Sequence, residues 1–249
     1  MVRAPDVANY WVGSTGLSAA ALARRAGVSA STLHRVRSGQ VDPSVGTLRE
    51  IALACGFDFD ITTRPLSDRL AAAAVRELVE DGYDAPDDPE VHRWQQRLTR
   101  MAGGDSPLDL VVAAASASAP LHRTGAVLQS GEVPLGRLAS AGDASKGRWA
   151  LSGPAGLALP PSDDPAPAVT ILWCEDARKV VQLLGDADLR STHRPDRARI
   201  AVIEAEPELF TGSFQRGILR YAAPIQIILD CLAQGGRAAE EALREAKTW

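Results

Sequence analysis

Leu17-Ser18-Ala19-Ala20-Ala21-Leu22-Ala23-Arg24-Arg25-Ala26-Gly27-Val28-Ser29-Ala30-Ser31-Thr32-Leu33-His34-Arg35-Val36-Arg37-Ser38-Gly39 decides how the amino-terminal part of this chain folds. Ser18 is placed to cap a short helix that turns Leu22, Ala23 and Ala26 toward a core, and Gly27 ends it. Ser29 caps a second helix, with Leu33 and Val36 three apart on its buried face and Gly39 just past its end. Two short helices joined through Gly27-Val28 have the helix-turn-helix layout, in which the second helix enters the DNA major groove. Working outward, residues 6–13 read as a preceding helix with Val7, Tyr10 and Trp11 inward. Ser44 opens a fourth helix with Leu48, Ile51, Ala52 and Cys55 on one face, closed by Gly56.

This stretch resembles the Cro/XRE-type helix-turn-helix repressors. The matching residues are Leu17-Ser18, Leu22-Ala23, Gly27-Val28-Ser29, Ser38-Gly39, Pro43-Ser44 and Thr47-Leu48; Ala19 stands where that family usually has Gln, so the phosphate contact of that Gln is not carried over. The resemblance implies a double-stranded DNA operator as partner and a homodimer as the binding unit. It also puts the exposed face of the second helix on Ser31, Thr32 and Arg35, beside Ala30, turned away from Leu33 and Val36 by helical spacing. Arg35 is the candidate for reading guanine, since its planar fork can donate twice to O6 and N7. Ser29, Arg37, Ser38, Gln40 and Thr47 fall where caps and loop donors meet phosphates, which orient without reading sequence.

The charge distribution fits a division of labour. The 249 residues carry a net charge of −4, yet residues 18–49 hold five Arg against one Asp. Residues 1–65 have seven Arg and five acids, so the remainder of the chain totals −6. Binding follows the local field, because charges beyond about 10 Å are largely screened at physiological salt. An acidic remainder excludes a protein that coats nucleic acid along its whole length. Apolar residues make up 45%, ordinary for a folded domain, and no apolar run approaches the roughly 18 residues of a membrane span. The start, Met-Val-Arg-Ala-Pro-Asp, has no apolar signal region. Cys55, Cys174 and Cys231 have neither disulfide numbers nor metal spacing. A cytoplasmic protein with buried free thiols is expected.

The expected fold class is α+β, in three parts: a helix-turn-helix domain over 1–65, a packed helical connector over 66–105, and an α/β domain with a small sheet over 106–249. Phe57-Asp-Phe-Asp-Ile61 alternates with period two and reads as a short strand. Leu70, Ala74, Val75 and Leu78 stripe one helix, and Val91, Trp94, Leu98 and Met101 another, separated by the breaker Asp84-Ala-Pro-Asp-Asp-Pro89. Residues 107–118 form an Ala-rich helix, and small residues, Gly and Pro dominate from 120 to 165. Strands are expected at 169–174, 200–203 and 219–222, with helices over 176–184, 224–232 and 237–247. The strand at 57–63 and the 91/94/98 stripe are candidate dimer seams.

Catalytic signatures are missing. There is no phosphate-cradling Gly-x-x-x-x-Gly-Lys-Ser/Thr loop, no Gly-x-Ser-x-Gly elbow and no His-Glu-x-x-His. His34, His92, His122 and His193 lie in four different elements, and no metal or cofactor is expected. Asp176, Glu204 and Glu206 at strand exits have the type to hold Mg²⁺ for a DNA-directed nuclease, but no Lys follows the second strand. The chain is read as a non-enzyme. The segment Ala223-Pro224-x-Gln226, Leu229-Asp230-x-Leu232 and Gly235-Gly236-Arg237, with Trp149-Ala-Leu-Ser-Gly153, resembles the carboxy-terminal domain of AbiEi-type antitoxins of type IV toxin–antitoxin systems. That resemblance implies an autoregulating antitoxin of a phage-defence locus, with a toxin as partner. The leading expectation is a sequence-specific transcriptional regulator acting as a repressor.

Overall fold

A computed structural model describes residues 3–157, 168–185 and 189–248, and the chain falls into two compact units, 1–64 and 65–249. The class is α+β. The first unit is a four-helix cluster: α1 (Ala4–Gly13), α2 (Ala19–Arg25), α3 (Ala30–Arg37) and α4 (Val45–Ala54). Trp11, Leu22, Leu33, Val36 and Ile51 form its core. Tyr10 differs from its expected inward position and is 67% exposed, because the neighbouring Trp11 takes the core-facing slot. Residues 57–63 form no strand. Phe57 and Phe59 are half-buried instead and pack on Trp11, with ring centroids 6.3 and 5.7 Å away. Their period-two spacing thus reflects two aromatic contacts to one indole.

In the second unit, α5 (Arg69–Val79), α6 (Pro89–Ala102) and α7 (Pro107–Ala117) pack on one another and share a single hydrophobic core with the sheet. Trp94 and Leu98 are buried in that core, so the 91/94/98 stripe is internal and unavailable as a dimer seam. Asp68 fixes the start: one carboxylate oxygen accepts the Leu70 N–H at 2.9 Å, the other the Trp94 indole N–H at 3.0 Å. The Arg76 guanidinium, 1% exposed, donates to Glu80, to the carbonyls of Leu209 and Thr211, and lies 4.0 Å from the Tyr83 ring centroid.

The sheet has seven strands in the order β4-β1-β5-β3-β2-β7-β6: β1 (Val127–Ser130), β2 (Trp149–Ser152), β3 (Thr170–Cys174), β4 (Arg190–Thr192), β5 (Ile200–Glu204), β6 (Phe214–Arg216) and β7 (Leu219–Tyr221). The central β3 and β5 run parallel, pairing Thr170 with Ile200 through Cys174 with Glu204. Buried residues 171–174 explain the continuous apolar text of that strand. Trp173 reaches toward α10 (Pro224–Gln234), while α8 (Leu135–Ser145) and α9 (Ala177–Leu184) pack beside each other and α9 packs on β3 and β5. Helix α11 (Gly236–Ala246) closes against α10.

The residues carrying the antitoxin resemblance hold α10 to the sheet. Buried Asp230 accepts the Ser152 hydroxyl at 2.6 Å, the Trp173 indole at 2.8 Å and the Gln226 amide at 2.9 Å. Burial raises its carboxyl to about 6, against the lowering by those donors and by the Arg123 charge. Gln234 clamps both the N–H and the carbonyl of Val169.

Candidate nucleic-acid interface

The turn between α2 and α3 follows from Gly27. Its φ of 63° lets the Val28 N–H reach back to the Ala23 carbonyl at 3.0 Å while the Gly27 N–H meets that of Arg24 at 3.3 Å. This paired closure satisfies the carbonyls at the end of α2 and aims the chain into Ser29. The Ser29 hydroxyl accepts the Thr32 N–H at 2.9 Å and contacts the hydroxyls of Ser31 and Thr32, each at 2.8 Å. A Ser cap of this kind contributes about 1 kcal/mol, so the start of α3 is fixed in place.

Ser31, His34 and Arg35 are exposed on α3, and Ala30 is exposed at its first turn. Thr32 is half-buried, with its hydroxyl turned to Ser29, so less of it is presented than its position on the helix implies. The Arg35 side chain makes no hydrogen bond to a described residue, whereas its carbonyl receives the Gln40 N–H at 2.9 Å and the Ser38 hydroxyl at 3.2 Å. These bonds curl the loop after α3 back under Arg35, with Ser38 and Gln40 exposed on it. Gly39, at φ 74°, makes the curl possible.

Arg37 is held differently. Its Nε donates to Asn9 Oδ1 at 2.9 Å, and Asn9 Nδ2 donates to the Arg37 carbonyl at 3.0 Å. The side chain is thus half-buried and oriented by α1. Sequence reasoning missed Asn9, because nothing local marks a partner 28 positions away. Thr47 is also half-buried, its N–H and hydroxyl both engaged by Ser44 at the start of α4. Ser29, Ser31, Arg35, Ser38 and Gln40 therefore form one exposed group around α3, with Thr32, Arg37 and Thr47 set further in.

The acidic trio is not assembled for metal chemistry. Asp176 caps α9 by accepting the Lys179 N–H at 2.9 Å, and Glu206 lies 3.7 Å from Arg69. No group of three or more His, Cys, Asp or Glu among the described residues is placed to hold a metal ion.

Residues 11–64 match the family model of the helix-turn-helix domain. The amino-terminal unit is a helix-turn-helix DNA-binding domain, which makes the chain a DNA-binding regulator in its general class. No curated protein and no solved structure matches the chain. Among the described residues, no helix is long and apolar enough to cross a membrane.

Proposed function

We propose that this protein is a transcriptional repressor of the Cro/XRE type that binds operator DNA through α3 as a homodimer and acts by occupying a promoter. The observation that carries the reading is the rigidly capped α3, which presents Ser31 and Arg35 to solvent while Leu33 and Val36 are buried. The local excess of Arg over acids in residues 18–49 supplies the attraction for phosphates. Dimerisation follows from size. A single recognition module covers about 600–1,000 Å², and regulators of this geometry reach tight binding by reading two half-sites. The second unit carries sensing or partner binding, and no catalysis is assigned to it. The test is a reporter driven by the gene's own promoter, with light scattering of the purified chain. Repression that disappears with Arg35→Ala, by a dimer, is expected. A monomer at tens of micromolar protecting a single half-site would sink the dimer.

The antitoxin-like text at 223–237 supports a second reading, an autoregulating antitoxin. Co-purification of a toxin encoded beside the gene is its test; Gln226 and Asp230, being internal, would then act by shaping α10 rather than by touching the toxin.

A further inference from the structure

The second unit contains a cavity of about 420 Å³ outside the carboxyl ends of the parallel strands β3 and β5, lined there by Glu175 and the segment 204–209. Its volume lies in the range of small-molecule sites, about 300–1,000 Å³, and the exit of parallel strands is where α/β sheets commonly take ligands. What points to an occupant is Arg123, which lines the cavity with its guanidinium 4.7 Å from the Trp173 ring centroid. Its Nε is shut off from solvent without a hydrogen-bond partner, and no other side-chain N–H of Arg123 donates to a described residue.

Asp230 and Asp68, the carboxylates whose charge reaches Arg123, accept no hydrogen bond from it. Both oxygens of Asp230 are taken by Ser152, Trp173 and Gln226, and both oxygens of Asp68 by Leu70 and Trp94. They offset the charge at a distance and leave the Nε–H without an acceptor. Arg123 is half-buried, but a shut-off Nε–H in that condition is costly, and a carboxylate that takes Nε–H and a terminal N–H together is the group that fits it. The wall formed at the strand exits is acidic. Glu175 and Glu206 are paired, with Arg148 and Arg69, but Glu204 and Glu208 form no ion pair among the described residues.

We propose that this cavity binds a small zwitterion of amino-acid size, its carboxylate on Arg123 and its ammonium between Glu204 and Glu208. Occupancy stands on the cavity alone; its use as the signal that controls DNA binding rests on the repressor reading above.

The test uses the full chain without DNA, by calorimetry and thermal shift. The probes are the twenty common L-amino acids, each with its matched amine lacking the carboxylate and its matched acid lacking the amine. At least one amino acid is expected to bind and raise the melting temperature. Its amine and its acid should each bind at least tenfold more weakly. Arg123→Gln should weaken binding at least tenfold. Because Arg123 also packs on Trp173, the double variant Glu204→Gln/Glu208→Gln on the acidic wall is tested alongside, with the same loss expected. No binding by any of the twenty, equal binding of the matched acid, or binding unchanged in the acidic-wall variant would overturn the proposal. A chain that takes the amino acid but never binds DNA specifically would lose the repressor reading and keep the site.

Discussion

Replacing Arg35 with Ala removes a side chain that makes no hydrogen bond to any described residue and stands exposed on α3. Folding stability should therefore stay within about 0.5 kcal/mol of wild type, as for other surface substitutions. At the operator the loss should be about 1–3 kcal/mol, roughly 5- to 150-fold in Kd, if Arg35 makes a paired contact with guanine. On a shuffled duplex it should be much smaller. Arg37→Ala is the control, because its Nε bond to Asn9 at 2.9 Å is lost with it. That variant should lose about 0.5–1.5 kcal/mol of stability, weaken every duplex alike, and lower the salt slope by about one. Fluorescence anisotropy on operator and shuffled DNA at several salt concentrations, with urea denaturation in parallel, separates the two. An unchanged ratio of specific to non-specific affinity in Arg35→Ala would refute the assignment.

A Cβ at Gly142 would stand 2.5 Å from the Trp149 ring, which is tethered through its indole to Asp143 at 2.8 Å; Gly142→Ala should cost about 1–3 kcal/mol or more in urea denaturation, and an unchanged midpoint would contradict that packing. Asp230, with its carboxyl raised from 3.8 to about 6, keeps its proton in the folded state between those values while the unfolded chain gives it up. Its contribution to stability therefore falls as pH rises from about 4 to about 6 and is level above, by up to about 1.4 kcal/mol per pH unit. Wild type compared with Asp230→Asn should show that slope, and a pH-independent difference would remove the buried carboxyl from the account. Burial pushes the Cys174 thiol up to about 12 and raises Cys231 as well, so a thiol reagent should modify only half-buried Cys55 in the native protein and all three cysteines in denaturant; rapid native reaction at more than one would contradict the core.

The helix-turn-helix unit was legible because its signals are local. Ser18, Ser29 and Ser44 each cap the helix they precede, and Gly27, Gly39 and Gly56 take positive φ where those three helices end. The parallel strands β3 and β5 were legible as unbroken apolar runs. Helix α8 was not, since Gly136, Gly142 and its Ser and Ala residues read as loop; close approach of Trp149 to Gly142 is what selects them. Strands β1, β4 and β6 run only three or four residues and are recognisable only from their partners across the sheet. Of the apolar stripe legible around Trp94, Val91, Trp94 and Leu98 are buried and Met101 is exposed, past the cover that α5 and α7 provide together. Helices α5 and α6, in the stretch read as a packed connector, share the core of the unit 65–249. Among the site residues, spacing gave the exposed face of α3, but the restraint of Arg37 by Asn9 is a tertiary fact.

Whether α3 reads a specific sequence is decided by footprinting of the gene's own promoter with the full chain. At about 0.15 M salt, where exposed charges are screened beyond about 8 Å, two protected major-groove segments are expected. They should be related by a twofold and about 34 Å apart, and with Arg35→Ala both should need roughly 5- to 150-fold more protein. Diffuse protection without a preferred sequence, identical for wild type and Arg35→Ala, would contradict sequence reading by α3.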